Sequence, residues 1–377
     1  MEFELTPEQQ LLRQSAREFA VSRVAPLVER MEEDGKFPKE LIPALGDAGF
    51  FGITIPPEYG GLGLGYLARA IVVEEIARVS VAVGMALEVF HLGIEPIVAF
   101  GTEEQKQRLL PAMARGESLA TVAVTEATGG SDPSGIQTRA RLENGEWVLN
   151  GRKVFITNSH LADVVTVLAR TGDDPPRFTT FLVEKGFPGF RPGREEHKVG
   201  MKGCNTGEII LDGCRVPQEH VLGKEGDGMK IALKPISDVG RSGMASCAVG
   251  LLRASLEAAT EYAQKRALYG QPIARLQGIQ WKLAEMACDL EAARLLTYRG
   301  CWLKDMGRRS EAEMAQAKLF ACEAAIRAAK NAVDIFGAYG CMMEYPVQRY
   351  YRDAILLGPS AGTSDIMRIV VARSLTR

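Results

Sequence analysis

Hydrophobic periodicity changes twice along this chain, from helical spacing to alternation and back, and that succession limits the folds open to it. In the first zone Thr6-Pro7-Glu8-Gln9 combines an N-cap, a proline at the first helical position and the glutamine of a capping box. Leu11, Leu12, Ala16, Phe19 and Ala20 follow at helical spacing, and a second apolar helix is expected from about residue 67 toward Pro96. Pro56-Pro57-Glu58-Tyr59-Gly60-Gly61 is a turn-rich connector between them.

Between about residues 118 and 222 the period falls to two. Short strands are expected at 137–142, 146–149 and 153–157, separated by hairpin turns at Asn144-Gly145 and Asn150-Gly151, with further strands at 164–169, 179–183 and 208–211. After Gly226-Asp227-Gly228 helical spacing returns in long, alanine-rich stretches at 241–266, 276–305, 311–336 and 362–374. The expected fold is a multidomain α+β chain. It has an N-terminal α-helical domain (1–117), a middle antiparallel β-barrel (118–224) and a C-terminal four-helix bundle (225–377).

Composition narrows the function classes. With 377 residues, 46% of them hydrophobic, the chain can fill real cores, and a formal charge of −2 supplies no general field for nucleic acid or an anionic membrane. The seven cysteines never fall at CxxC spacing and the four histidines form no metal-ligand cluster, so no metal is expected and the thiols are expected to be reduced. The first residues lack the basic and apolar regions of a signal peptide, and no apolar run approaches membrane-spanning length. A cytoplasmic location without membrane or nucleic-acid partners is the expectation.

Residues 122–132 narrow the chemistry most. Val122-Ala123-Val124 reads as a strand running into a small, hydroxyl-rich turn, in which Gly129 and Gly130 remove side chains while Thr125, Ser131 and the turn amides offer donors. Those residue types suit a phosphate-bearing cofactor. Three distant motifs accompany this segment: Asn150-Gly151-Arg152-Lys153-Val154-Phe155-Ile156-Thr157-Asn158; Lys265-Arg266-Ala267-Leu268-Tyr269-Gly270-Gln271-Pro272-Ile273; and Phe336-Gly337-Ala338-Tyr339-Gly340 leading through Glu344-Tyr345-Pro346-Val347 to Tyr351-Arg352-Asp353-Ala354. Together, in this order and across essentially the whole chain, the four segments resemble the acyl-CoA dehydrogenase family of flavoproteins.

The resemblance implies an FAD cofactor, an acyl-CoA substrate, an electron-transfer flavoprotein as acceptor and a homotetramer. It implies that Val122, Val124, Thr125, Ser131, Phe155, Ile156 and Thr157 line the flavin, with Ser131 also touching the thioester. Arg266 is implied at the FAD pyrophosphate of a neighbouring subunit with Leu268 and Gln277 beside it, while Asp334, Gly337 and Ala338 approach the dinucleotide and Thr363 and Asp365 reach the flavin. Asp238, Arg241 and Gly362 are implied at the substrate. Asp334 departs from the glutamine that relatives commonly carry, and a carboxylate is repelled by pyrophosphate unless it accepts a hydrogen bond instead.

A sharper departure concerns the catalytic base. The family's glutamate lies immediately before a Gly-Thr pair, where this chain reads Ser360-Ala361-Gly362-Thr363, and the alternative position before Arg241 is Gly240. Three readings stay open. Ala361 replaces a glutamate in an otherwise ordinary enzyme; or the base is displaced; or the chain is a flavin oxidase or monooxygenase of the same fold. For the second, Glu88, His91 and Glu95 share one face of an apolar helix, and Glu88 or His91 is the candidate base. A few relatives acting on cyclic acyl-CoA esters use an acidic residue in this helix, so the resemblance implies a ring such as cyclohexene- or cyclohexane-carboxyl-CoA.

Overall fold

A computed structural model describes residues 4–376. Helix α1 (Pro7–Phe19) begins as the sequence dictates: the Thr6 hydroxyl accepts from Gln9 N while the Gln9 side chain accepts from Thr6 N, satisfying two donors that a helix start leaves free. Helices α2 (Val28–Asp34), α3 (Leu41–Asp47), α4 (Gly65–Val79), α5 (Val81–Phe100) and α6 (Glu103–Ala114) complete the first domain. The single helix expected from 67 to 96 is in fact two. Ser80 adopts extended geometry (φ −148°, ψ 110°) and caps α5 by accepting from Val83 N, so the chain turns at a hydroxyl inside an apolar run. Pro96 does not end α5, which continues to Phe100; the buried packing of the helix tolerates the one bond a proline cannot donate. Contrary to expectation, α5 has the length and composition of a membrane span, yet nearly all of it is buried inside the fold as a core helix.

Strands β1 (Ala120–Ala123), β2 (Arg139–Glu143), β3 (Glu146–Thr157), β4 (Val164–Asp173), β5 (Pro176–Glu184), β6 (Phe190–Glu195), β7 (Thr206–Pro217) and β8 (Val221–Leu222) form one sheet, paired in the order β6-β7-β3-β2-β4-β5-β8. Pairing is antiparallel except around β4, which runs parallel to β1 and meets β2 in parallel at Arg139 and Arg170. Asn144 and Gly145, both at positive φ, make the expected tight turn. Asn150-Gly151 does not. It is a bulge within the continuous strand β3, where pairing with β7 slips between Leu149 and Gly151, and a Cβ on Gly151 would lie 2.2 Å from the Thr138 hydroxyl oxygen.

The last domain comprises α7 (Gly228–Pro235), α8 (Arg241–Lys265), the short pair β9 (Ala267–Leu268) and β10 (Gln271–Pro272), α9 (Gln277–Asp305), α10 (Glu311–Phe336), α11 (Val347–Leu357) and α12 (Ser364–Leu375). The four long helices match the alanine-rich stretches to within two residues. Helix α11, unanticipated, lies in the segment of the fourth motif. Alanines of α8 and α10 let these two helices pack closely on each other, and α8 in turn packs on α4 and α5, so the two helical domains share one core, and α5 also packs against β1. The functional cleft lies where α5, the ends of β1 and β3, the start of α8 and the segment before α12 converge.

Candidate active site

The Thr125–Ser131 turn is held from beneath by a buried charge cluster. Lys153, fully buried in β3, donates to Val124 O at 3.1 Å and to Glu126 at 2.7 Å, and Glu126 accepts from the backbone of Gln137 and Thr138 and from the Thr138 hydroxyl. Burial pulls the Lys153 ammonium down to about 8 while Glu126 opposes the shift, so the pair supplies a rigid ionic support. Val154 N donates to Thr125 O, locking the two strand ends together. Next to this bond Phe155 takes φ +57°, a conformation that a bulky residue rarely adopts, and the residue is 65% exposed at the cleft.

Two adjoining cavities, about 170 Å³ and about 710 Å³, share Met85, Val124, Thr125, Phe155, Thr157, Ile236, Ser360 and Ala361 as common walls. The inner one is lined further by Glu88, Val89, Leu92, Val122, Ile156, Gly240 and Met244. Ser131, Arg241, Gly362 and Thr363 line the outer one. A larger groove of about 910 Å³ between α1, α8 and α9 contains none of the motif residues and is bordered by mutually paired arginines and glutamates.

Of the residues expected at the flavin, Val122, Val124, Thr125, Ser131, Phe155, Ile156, Thr157 and Thr363 converge on this cleft, together with Arg241 and Gly362. The wall fits a flat heteroaromatic ring: Thr125, Thr157 and Ser131 offer hydroxyls beside an apolar face, and Gly130 lies so close to Thr125 that a Cβ would reach its methyl at 3.2 Å.

Other expected residues lie elsewhere. Arg266, over the Tyr339 ring at 5.7 Å, belongs with Leu268, Gln277, Asp334, Gly337 and Ala338 to a separate surface formed by the ends of α8 and α10 and the start of α9. There Asp334 accepts from Lys282 at 2.8 Å and Lys330 at 2.7 Å, both holding its carboxyl below the usual range; a paired carboxylate is a poor contact for pyrophosphate. Asp365 is exposed and bonds Arg368 rather than bordering the cleft. Asp238, expected at the substrate, is instead buried between Lys234 at 2.8 Å and Lys304 at 2.6 Å. The local sequence explains this, because residue 234 stands one helical turn before 238.

The two candidate bases separate cleanly. His91 is buried, its Nε2 donates to Phe50 O at 2.7 Å, and burial holds the ring neutral with its pKa lowered to about 3. It is absent from the cleft lining. Three residues along a helix rotate a side chain by about 300°, so residue 91 points about 60° away from residue 88. Glu88 reaches the floor of the inner cavity, and both of its oxygens lie 2.7 Å from Arg69 Nη1. Its carboxylate packs on Gly243, where a Cβ would stand 1.7 Å from Glu88 Cδ. Burial raises the Glu88 carboxyl to about 7 against the opposing pull of Arg69. Glu95 forms no part of the cleft and accepts from Tyr66 at 2.5 Å. The two empty base positions coincide in space: a Cβ built on Gly240 would lie 3.2 Å from the Ala361 Cβ.

Arg69 went unnoticed in the sequence. The available signal was a single arginine in Ala68-Arg69-Ala70-Ile71-Val72-Val73, an apolar stretch in which a charge requires a buried partner.

Comparison with known proteins agrees with this geometry over the full chain. The N-terminal, middle and C-terminal domain models of acyl-CoA dehydrogenase match residues 6–117, 121–214 and 226–376. An acyl-CoA dehydrogenase of Bacillus subtilis (strain 168) is 43% identical over 374 residues, covering 98% of both chains. Among solved structures, butyryl-CoA dehydrogenase from Megasphaera elsdenii superposes with a TM-score of 0.98 at 37% identity, covering 100% of each chain. An acyl-CoA dehydrogenase from Bacillus anthracis complexed with FAD superposes with a TM-score of 0.94 at 34% identity, covering 99% of this chain and 67% of that one. On all three domains, and by a fold shared from end to end, this chain belongs to the acyl-CoA dehydrogenase family of FAD-dependent oxidoreductases.

Proposed function

We propose that this enzyme dehydrogenates a ring-bearing acyl-CoA thioester and that Glu88 is the base that removes the proton. One observation carries this reading: among the described residues lining the two cavities, Glu88 is the sole carboxylate, and no histidine joins it. The inner cavity of about 170 Å³ compares with the engineered cavity of about 150 Å³ that accepts benzene, so a six-membered ring is a suitable occupant. The absence of side-chain bulk at both Gly240 and Ala361 supports a branched or cyclic group close to the thioester.

Bound FAD supplies the hydride acceptor. Thr125, Thr157 and Phe155 orient the flavin ring, Ser131 and Arg241 hold the thioester end, and Met85, Val89 and Met244 exclude water from the acyl group. Glu88 then takes a proton from a ring carbon that the ring double bond of a cyclohexene-carboxyl ester conjugates to the thioester. A second ring carbon would give its hydride to FAD, the electron pair left on the ring becomes a second double bond, and the vacancy at Ala361 leaves no base beside the α carbon. Arg266 and its neighbours are assigned to FAD of an adjoining subunit within a tetramer, and the electrons pass on to an electron-transfer flavoprotein.

Anaerobic bleaching of the flavin by linear, branched and cyclic acyl-CoA esters tests the reading, with cyclic esters expected to be the reductants. Base function requires ionised Glu88. The rate of flavin reduction is therefore expected to rise with pH through about 7 and to level off above it. A rate unchanged between about pH 6 and about pH 8 contradicts the assignment. Gly243→Ala is expected to displace the carboxylate on which its methyl would intrude, lowering single-turnover reduction by about 10²-fold while FAD remains bound.

A further inference from the structure

Lys318 of α10 is fully buried, yet among the described residues no carboxylate lies within ion-pair distance of it. Its ammonium donates instead to two backbone carbonyls, those of Gly358 and Gly362, the latter at 2.7 Å. Burial holds the ammonium below its ordinary range. An ammonium enclosed without a counter-ion is costly, and the two carbonyl dipoles are what offsets that cost here.

Those carbonyls bracket a constrained piece of the cleft wall. Ala361 has φ +51° and Gly362 φ +94°, two successive left-handed residues of which the first carries a side chain. The Ser360 hydroxyl donates to Leu356 O behind them, and Thr363 caps α12 ahead of them, so the segment is tied at both ends. Ser360 and Ala361 face both cavities and Gly362 faces the outer one.

We propose that Lys318 is a positioning residue for the acyl-thioester wall, clasping the segment 358–362 in the left-handed conformation that shapes the cleft. The inference rests on the cleft as the thioester site but not on Glu88 as the base. It assigns the buried cation to holding a strained turn open, with no contact to the substrate itself.

The test uses the FAD-loaded enzyme and reads two quantities: amide hydrogen exchange over 359–363, and the perturbation of the flavin band on titration with crotonyl-CoA. Lys318→Met is expected to speed exchange in this segment by about tenfold or more while leaving β1 and β3 protected. It is also expected to weaken crotonyl-CoA binding by about tenfold, because the wall loses its fixed shape. Adding Ala361→Gly to Lys318→Met removes the left-handed penalty and is expected to recover much of the protection. Unchanged exchange in folded Lys318→Met, or no recovery on adding Ala361→Gly, overturns the proposal. If the methionine variant does not fold, Lys318→Gln, which keeps N–H donors on a shorter, uncharged side chain, is expected to give intermediate exchange; native exchange in that variant overturns the proposal equally. Because neither readout requires proton abstraction, failure of the Glu88 assignment leaves this test intact.

Discussion

Replacing Glu88 with Gln is expected to lower the rate of flavin reduction by a cyclic acyl-CoA about 10²- to 10⁴-fold, the range that removal of a positioned general base produces. The amide preserves the shape of the floor between Arg69 and Gly243 but cannot accept a proton from carbon. Single-turnover reduction followed anaerobically measures the effect, and titration with the same ester checks that binding persists. Reduction at the native rate would remove Glu88 from the reaction and leave the Arg69 pair as a structural element. His91→Ala supplies the contrast. With His91 directed to Phe50 O, its loss is expected to affect stability through a buried polar group and a small cavity, while flavin reduction keeps its pH dependence.

The second large effect concerns Arg69. Arg69→Leu strands the Glu88 carboxylate without its partner, and breaking a buried pair in this way costs about 3–5 kcal/mol. Ser242, whose hydroxyl Arg69 also contacts, cannot replace a full charge. The pH dependence has a definite sign. The folded state binds the Glu88 proton more tightly, near 7, than an unfolded carboxyl with its ordinary value of 4.5. Across that window acidification favours the fold at this group and rising pH disfavours it. Removing Arg69 raises the folded value further. The deficit of Arg69→Leu is therefore largest above pH 7 and shrinks toward the acid end of the window, as measured by thermal unfolding at several pH values. The double variant Arg69→Leu with Glu88→Gln, which strands no charge, is expected to recover part of the loss. A deficit independent of pH and unrelieved by Glu88→Gln would show that packing, rather than the charge pair, dominates.

The three-part architecture was legible because periodicity reports which face of an element is buried, and each domain buries its elements in a regular way. Breaks inside apolar runs were not. Ser80 separates two helices that are buried on nearly every side, the charged Arg69, Glu74 and Glu75 included, so no change of period marks the kink, and Pro96 persists within a helix whose surroundings outweigh one missing bond. Asn150-Gly151 has the residues of a hairpin turn, yet the close approach of Thr138 uses its glycine for a bulge. At the site, Glu88 was visible as a carboxylate in an apolar helix, whereas its partner is 19 residues away on another helix. Spacing alone could not separate Glu88 from His91, because a rotation of about 60° suffices to send one side chain to the cleft and the other to Phe50. Asp238 has one partner legible from spacing, Lys234 one helical turn before it, and one that is not, Lys304 on α9, which reaches it from a remote part of the chain.

The central claim is that the carboxylate doing the chemistry stands at the far end of the acyl pocket rather than beside the thioester. Anaerobic mixing of the FAD-loaded enzyme with cyclohex-1-ene-carboxyl-CoA and, separately, with butyryl-CoA tests it most directly. The account predicts that the ring ester bleaches the flavin and that butyryl-CoA binds without bleaching it. Rapid bleaching by butyryl-CoA, equally rapid in Glu88→Gln, would contradict it.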